Sequence, residues 1–346
     1  MAVTVAPGRA VRPARPVAAG PGRALVVGVA ASVVLVVLAV LGLVLGDFPI
    51  ELQRIPGILA GGGERIERTV VVDWRLTRVI AAVGVGALLG IAGALFQTVT
   101  RNPLASPDIL GLSSGAFSGM LLTLVLVSAS WQALVAGSLV GGLVTALVIQ
   151  LLASRDGLQG FRIIVVGIGV SAMLASLNTW LLLQVELETA MFASAWGAGS
   201  LNGVADGPVA GALVAAVPIA AVAFCLVPRM RQLELGDDLA AATGARPRAV
   251  RALALLAGVG LVSAATTVAG PVAFVALAAP QVARRLARTP SLPLGLSALL
   301  GAVILLASDL VAQHALPAPL PVGVVTVSVG GVYLLSVIVM EIRRRA

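Results

Sequence analysis

The chain has 346 residues, 59% of them hydrophobic and only 11% charged, with a mean hydropathy of +1.07 and a formal net charge of +8. Soluble domains carry about 25% charged residues, so a water-soluble globule is excluded and lipid must be the solvent for most of the surface. All 23 basic residues are Arg; a nucleotide-binding P-loop needs a Lys, so this chain has no such site, another polypeptide would have to bind ATP if ATP drives anything here, and no cofactor is expected in this chain.

Residues 1–23 are rich in Pro, Ala, Gly and Arg and predict a disordered arm bearing Arg9, Arg12, Arg15 and Arg23. Residues 24–346 read as a single transmembrane domain. The first apolar run, 24–45, outlasts a signal-peptide core of about 7–15 residues and reads as a retained spanning helix. Further runs lie near 76–97, 112–128, 131–153, 161–183, 208–228, 248–269, 272–286, 294–314 and 322–340. A span takes about 20 residues, so the run at 272–286 predicts a partial or tilted helix. The expectation is an all-α polytopic membrane protein with about ten transmembrane helices.

The arginines test that count. With the N-terminus inside, 18 fall in inner segments, and Arg54, Arg65, Arg68, Arg75 and Arg78 fall outside. This obeys the positive-inside rule and predicts that both termini are cytoplasmic. The positive charge is thus topological, and no nucleic-acid partner is expected. The second run carries Gly84, Gly86, Gly90 and Gly93, and the fourth Gly137, Gly141 and Gly142. Such residues let helix backbones approach closely in lipid.

Reactive side chains are few. Cys225 excludes an internal disulfide and reads as a buried filler. His314 alone excludes a multi-His metal site and reads as a membrane-boundary residue. An intramembrane enzyme needs a nucleophile–base or metal constellation, and the residues for one are missing, so no catalytic residue is assigned. Asp309, in the outer half of the ninth run, reads as a nearly isolated acid. A functional role and a structural pair with a nearby polar group both remain open for it.

Polar strings interrupt the apolar pattern. In order they are Arg75-Leu-Thr-Arg78, Ala92-Gly93-Ala-Leu-Phe-Gln97, Thr100-Arg101-Asn102-Pro103-Leu104-Ala105, Leu110-Gly111-Leu-Ser-Ser-Gly115 and Trp196-Gly-Ala-Gly199-Ser200-Leu201. Then come Leu235-Gly236-Asp237-Asp238-Leu239-Ala240 with Gly244, Gly270-Pro271-Val-Ala-Phe274-Val275, and Asp309 with Leu320-Pro321-Val322-Gly323. The chain resembles, on these strings, the membrane permease subunits of bacterial ABC importers for iron chelates and cobalamin, the FecCD/BtuC type. The string from Ala273 to Arg285 and the Ser106-Pro-Asp108 variant are most similar to the ferric-enterobactin, or catecholate-siderophore, branch. Departures are Gln281 for the usual His, Ala276 for Gly, Gln313 for an Arg, and Gly330-Gly331-Val332 for Gly-Ala-Pro.

The resemblance implies a type II ABC importer permease in the bacterial cytoplasmic membrane, carrying ferric siderophore. It implies a second permease subunit, identical or paralogous, and two ATPase subunits that hold ATP and Mg. It also implies an extracytoplasmic substrate-binding protein. Leu235, Gly236, Asp237, Asp238, Leu239, Ala240 and Gly244 would form a coupling helix near 235–245 that docks on the ATPase. Acids suit its first turn and Gly244 its end. Arg75 and Arg78 would dock the binding protein, with Gln313 marking a weakened or partner-supplied contact. Gln97, Arg101, Asn102, Pro103, Gly270, Pro271 and Asp309 carry family motifs. Gln97, Ser113, Ser114, Asn178 and Thr179 are candidate pathway residues, each equally able to serve as an interhelical hydrogen bond. Cobalamin or haem is the alternative cargo. A gradient-driven secondary transporter is the rival mechanism; it would not need the coupling segment and usually shows a buried ionisable pair.

Overall fold

In the computed structural model the described residues are 21–108, 111–128, 130–153, 160–289, 293–315 and 318–345. The predicted arm with Arg9, Arg12 and Arg15 lies outside them, as do Leu110, Arg155 and the side chains of Arg343, Arg344 and Arg345. The described residues are helical with connecting turns and contain no strand.

Seven stretches are long and apolar enough to cross a membrane. They are α1 (Pro21–Val44), the helix ending in α4 (Thr77–Thr100), α6 (Trp131–Ala153), α7 (Gly160–Leu182), α9 (Asp206–Glu234), α11 (Pro247–Ala269) and α13 (Leu294–His314). The remaining three apolar runs form the shorter α5 (Leu112–Leu126) and α12 (Val275–Ala287), and α14 (Val322–Arg345). Each predicted run therefore becomes one helix. Two short helices lie outside the spans, α2 (Ile55–Leu59) and α8 (Leu187–Gly197), while α3 (Arg65–Arg68) opens the second span. A further short helix, α10 (Asp237–Ala242), links α9 to α11.

Boundaries differ from the sequence expectation in two places, each for a physical reason, and one residue differs in burial. The second span starts early: α3, a π-helical stretch Thr69–Leu76 and α4 form one helix of 36 residues. Its charged first half reads as a loop in sequence, yet Glu67 is buried and paired with Arg54 at 2.6 Å. α9 keeps Pro218 and Pro228 inside it and runs on to Glu234. Proline is tolerated in such helices because neighbours re-satisfy the freed carbonyls. Cys225 is exposed rather than a buried filler.

α4 is the hub, packed against α9, α11, α12 and α13. Its glycines make this possible. A Cβ on Gly86 would fall on the Gly301 carbonyl, one on Gly90 on the Ser297 carbonyl, and one on Gly93 on the Ala276 carbonyl. Backbone thus rests on backbone along α4–α13 and α4–α12, the close approach that lipid-embedded association requires. Of the apolar window of α4, 78% is buried, against 6% for α1 and 17% for α7. The core is a tight α4–α11–α12–α13 unit with more exposed helices around it.

Two non-helical segments break this unit. Residues 101–108 follow α4, and residues 270–274 separate α11 from α12. Gly270 and Phe274 both have positive φ, 68° and 67°. A side chain at Gly270 would strike the Trp196 carbonyl, which makes glycine necessary there. α12 has 13 residues, or about 20 Å at 1.5 Å per residue, against a hydrocarbon layer of about 30 Å. The break at 270–274 therefore lies within membrane depth. Irregular backbone survives there only where it is buried in protein or lines a cavity.

Candidate functional site

Polar side chains gather in three places along the bundle. The first is the end that carries α10. Gly236, at φ 107°, turns the chain out of α9 and into α10, and Gly244, at φ 84°, stops it as predicted. The two faces of this short helix differ. Ala240 is fully buried against the bundle, whereas Leu235 and Leu239 are 63% and 59% exposed beside an exposed Asp238.

Asp237 faces the bundle. Arg101 Nη2 donates to its Oδ1 at 2.7 Å, and Arg251 Nη1 donates to Oδ2 at 2.8 Å, with Arg251 Nη2 also on Oδ1. The Arg251 hydrogen bonds first, with the positive charges of Arg251 and Arg101, hold the Asp237 carboxyl below the usual carboxylate range. Arg101 Nη2 also donates to the Leu233 carbonyl at 2.8 Å, at the end of α9. Arg101 itself has left-handed backbone, φ 49°, as the C-cap of α4. The dipole argument for Asp237 and Asp238 was thus incomplete, because two cations dominate at Asp237. Arg251 was not singled out from sequence. Its signal was a charge among Ala and Leu inside an apolar run, where a buried arginine requires a partner.

The second place is a cavity of about 680 Å³ lined by Asp108, Ser113, Ser114, Asn178, Thr179 and Pro271, with Gly323 and Ser328 of α14. Ser113 Oγ donates to Asp108 Oδ1 at 2.7 Å, and the Phe274 backbone amide faces the same carboxyl. Ser118 Oγ donates to Asn178 Oδ1 at 2.6 Å. Four of the five pathway candidates therefore come together. Gln97 does not join them. It is 3% exposed, donates to the Leu277 carbonyl at 3.1 Å, and accepts from Gln281 Nε2 at 2.5 Å. Gln281 also reaches the Pro103 carbonyl at 3.2 Å. Asn102 Oδ1 accepts from the Leu104 amide at 2.9 Å, shaping the turn that follows α4. Asp108 was seen in the sequence only as a branch marker, yet it is the one ionisable group among the described residues lining this cavity.

The third place is the opposite end. Arg78 Nε and Nη2 donate to the two carboxylate oxygens of Asp309, each at 2.8 Å, and Nη1 donates to Asn202 Oδ1 at 2.8 Å. Gln313 Nε2 adds a bond to Asp309 Oδ2 at 2.8 Å. Asp309 is 2% exposed and not isolated, contrary to the sequence expectation. Its partner is 231 residues away in the chain. Arg75 donates to the carbonyls of Leu43, Val44 and Phe48 at 2.9, 3.1 and 2.6 Å. It thus satisfies the orphan carbonyls at the end of α1. Thr77 Oγ1 donates to Asp206 Oδ1, tying the start of α4 to the start of α9. A cavity of about 440 Å³ lies over this network, lined also by Asp47, Trp74 and His314. Each guanidinium has five N–H donors, and three hydrogen bonds within the chain are made by Arg75 and three by Arg78.

Among the described residues, no group of three or more His, Cys, Asp or Glu side chains could hold a metal ion. The geometry supplies a polar-lined cavity, a clamped helix at one end and a buried ion pair at the other. The model of the FecCD transport family matches residues 34–340. The chain is 46% identical over 311 residues to the ferric enterobactin transport system permease protein FepG of Escherichia coli (strain K12), covering 90% of this chain and 94% of that protein. It is 31% identical to the ferric enterobactin permease protein FepD of the same organism, over 90% and 93% of the two chains. It is 30% identical to the Fe(3+)-citrate import system permease protein YfmE of Bacillus subtilis (strain 168), over 91% and 95%. A solved inward-facing metal-chelate type ABC transporter superposes with a TM-score of 0.80 at 24% identity, covering 92% of this chain and 99% of that one.

Proposed function

Because the chain belongs to the FecCD transport family, we propose that it is the membrane-spanning permease subunit of an ATP-driven ABC importer for a ferric siderophore of the catecholate type. The observation that carries this reading is the near full-length similarity to a ferric enterobactin permease. The cavity agrees with it: hydroxyls, one amide, the Asp108 carboxyl and apolar side chains line it, with no arginine to trap an anionic chelate. α10 agrees as well. Leu235, just before α10, and Leu239 on it are large apolar side chains exposed outside the spans and form a surface for another protein, and that partner is the ATPase that binds MgATP.

In this reading the α10 end is cytoplasmic, both termini are cytoplasmic, and the protein lies in the bacterial cytoplasmic membrane. A second permease subunit completes the cavity, and an extracytoplasmic binding protein delivers cargo to the opposite end. The Arg78–Asp309 pair is the kind of buried ionisable pair used by gradient-driven transporters. Here Arg78 and Gln313 donate to the Asp309 carboxylate while Asn202 accepts a further Arg78 donor, which favours a structural role.

The test is radioactive-iron uptake by cells deleted for this chain and lacking redundant importers. Loss of catecholate–iron uptake with hydroxamate–iron and cobalamin uptake intact is the expected result. Loss confined to cobalamin or haem would keep the permease and replace the cargo. Unchanged uptake of every chelate would refute the proposal.

A further inference from the structure

We infer that Asp237 is a positioning residue, and that its clamp by Arg101 and Arg251 makes α10 move as one body with α4, α9 and α11. The inference rests on the reading of α10 as the ATPase-docking element.

Four elements meet at this one carboxylate. Arg101 ends α4, Leu233 lies in the last turn of α9, Asp237 begins α10, and Arg251 sits near the start of α11. α10 has only 6 residues, too few to persist without tertiary support. Its support is the small buried side chain of Ala240 and the clamp on Asp237. The face offered to a partner, Leu235, Asp238 and Leu239, is separate from the residue that holds the helix to the bundle.

The clamp also leads to the cavity. Arg101 is the first residue of the non-helical segment 101–108. Gln281 on the Pro103 carbonyl and Asn102 on the Leu104 amide fix its beginning. Asp108, held by Ser113, places its far part on the cavity wall. A displacement of α10 therefore pulls on Arg101, whose left-handed backbone is the pivot between α4 and this segment. The Asp237 carboxylate is 49% exposed and Arg251 only 10%; Asp237→Asn keeps the side chain's shape and one acceptor oxygen for that guanidinium, which separates the role from folding.

The experiment uses the full permease reconstituted with its ATPase and binding protein in liposomes, with ferric enterobactin as cargo and MgATP inside. Three quantities are read: ATPase retained on purification, ATP hydrolysed, and iron imported per ATP. Asp237→Asn and Arg251→Gln should both retain the ATPase, while iron per ATP falls about fivefold, in the range of mutations that modulate coupling. The double variant should be no worse than the worse single one, because both remove the same contact. Asp237→Glu should recover part of the ratio. Loss of the ATPase from Asp237→Asn but not from Arg251→Gln would overturn the inference, since Asp237 would then touch the ATPase directly. An unchanged iron-to-ATP ratio in both single variants would also overturn it. A wild-type complex that hydrolyses ATP but imports no chelate would refute the proposed function, and the clamp's role with it.

Discussion

Two arginine–aspartate clusters stand at opposite ends of α4, and they do different work. Arg78–Asp309 is sealed, with the carboxylate side chain 2% exposed, while Arg101–Asp237–Arg251 has a carboxylate side chain that is 49% exposed. In a buried pair each charge depends on the other, so removing one strands its partner in low dielectric. At the open end water can replace part of what is lost, although Arg251 is only 10% exposed, so the cost should be smaller. The sealed cluster locks α4 to α13; the open one ties α10 to α4, α9 and α11.

The largest effect should come from the sealed end. Asp309→Ala leaves Arg78 uncompensated and should destabilise the protein by about 3–5 kcal/mol, seen as a lower thermal midpoint in detergent. The paired change Arg78→Met with Asp309→Leu should restore much of the loss. A double variant as unstable as Asp309→Ala would show that the pair contributes more than mutual neutralisation. The same contact would also break if α4 and α13 were pushed apart. Gly90→Val drives two methyl groups into the Ser297 backbone and should cost about 1–3 kcal/mol or more, read in the same assay and accompanied by loss of the Arg78–Asp309 pair.

Much of this arrangement was legible in the sequence, and the illegible part has a common cause. The apolar runs became helices one for one because hydropathy over about 20 residues is a local property. Gly236 and Gly244 bracket α10 because left-handed backbone at a helix end is also local. The partners of the charged residues are not local. Asp309 looked isolated because Arg78 lies 231 residues earlier, and Arg75 looked free because its acceptors are carbonyls of α1. A carbonyl acceptor leaves no trace in residue identity. Thr77 is the intermediate case. It stands where the resembling family has proline, and only the position of Asp206 across the bundle explains what its hydroxyl does.

At the open end the expected stability changes are smaller and carry a pH sign. Asp237→Ala removes the carboxylate partner of Arg251, which is only 10% exposed, and should cost about 1–3 kcal/mol, less than Asp309→Ala, while also impairing coupling. The folded-state pKa of Asp237 is lowered by Arg251 and Arg101. Its stabilisation is therefore complete above the unfolded value of about 3.9 and fades as pH falls through the lower folded value. Unfolding midpoints of wild type and Asp237→Ala should differ at pH 7 and converge in acid, and added salt should narrow the gap at pH 7. A gap that is flat from neutral to acid pH would mean the carboxylate charge contributes nothing to holding α10.

The smallest effect tests whether the sealed end depends on its ion pair alone. Thr77→Val keeps the shape of the side chain and removes the hydroxyl that reaches Asp206. A single hydrogen bond to a charged group contributes about 1.5–3 kcal/mol when buried. Asp206, however, is exposed at the start of α9, and water can replace the donor, so the loss should be about 0.5–1 kcal/mol. A loss of that size, with ferric-siderophore uptake unchanged, would place Thr77 beside the ion pair as a minor tie between α4 and α9. A loss as large as that of Asp309→Ala would mean that α9 is positioned from this end, and that α4 transmits force to it without the clamp at Asp237.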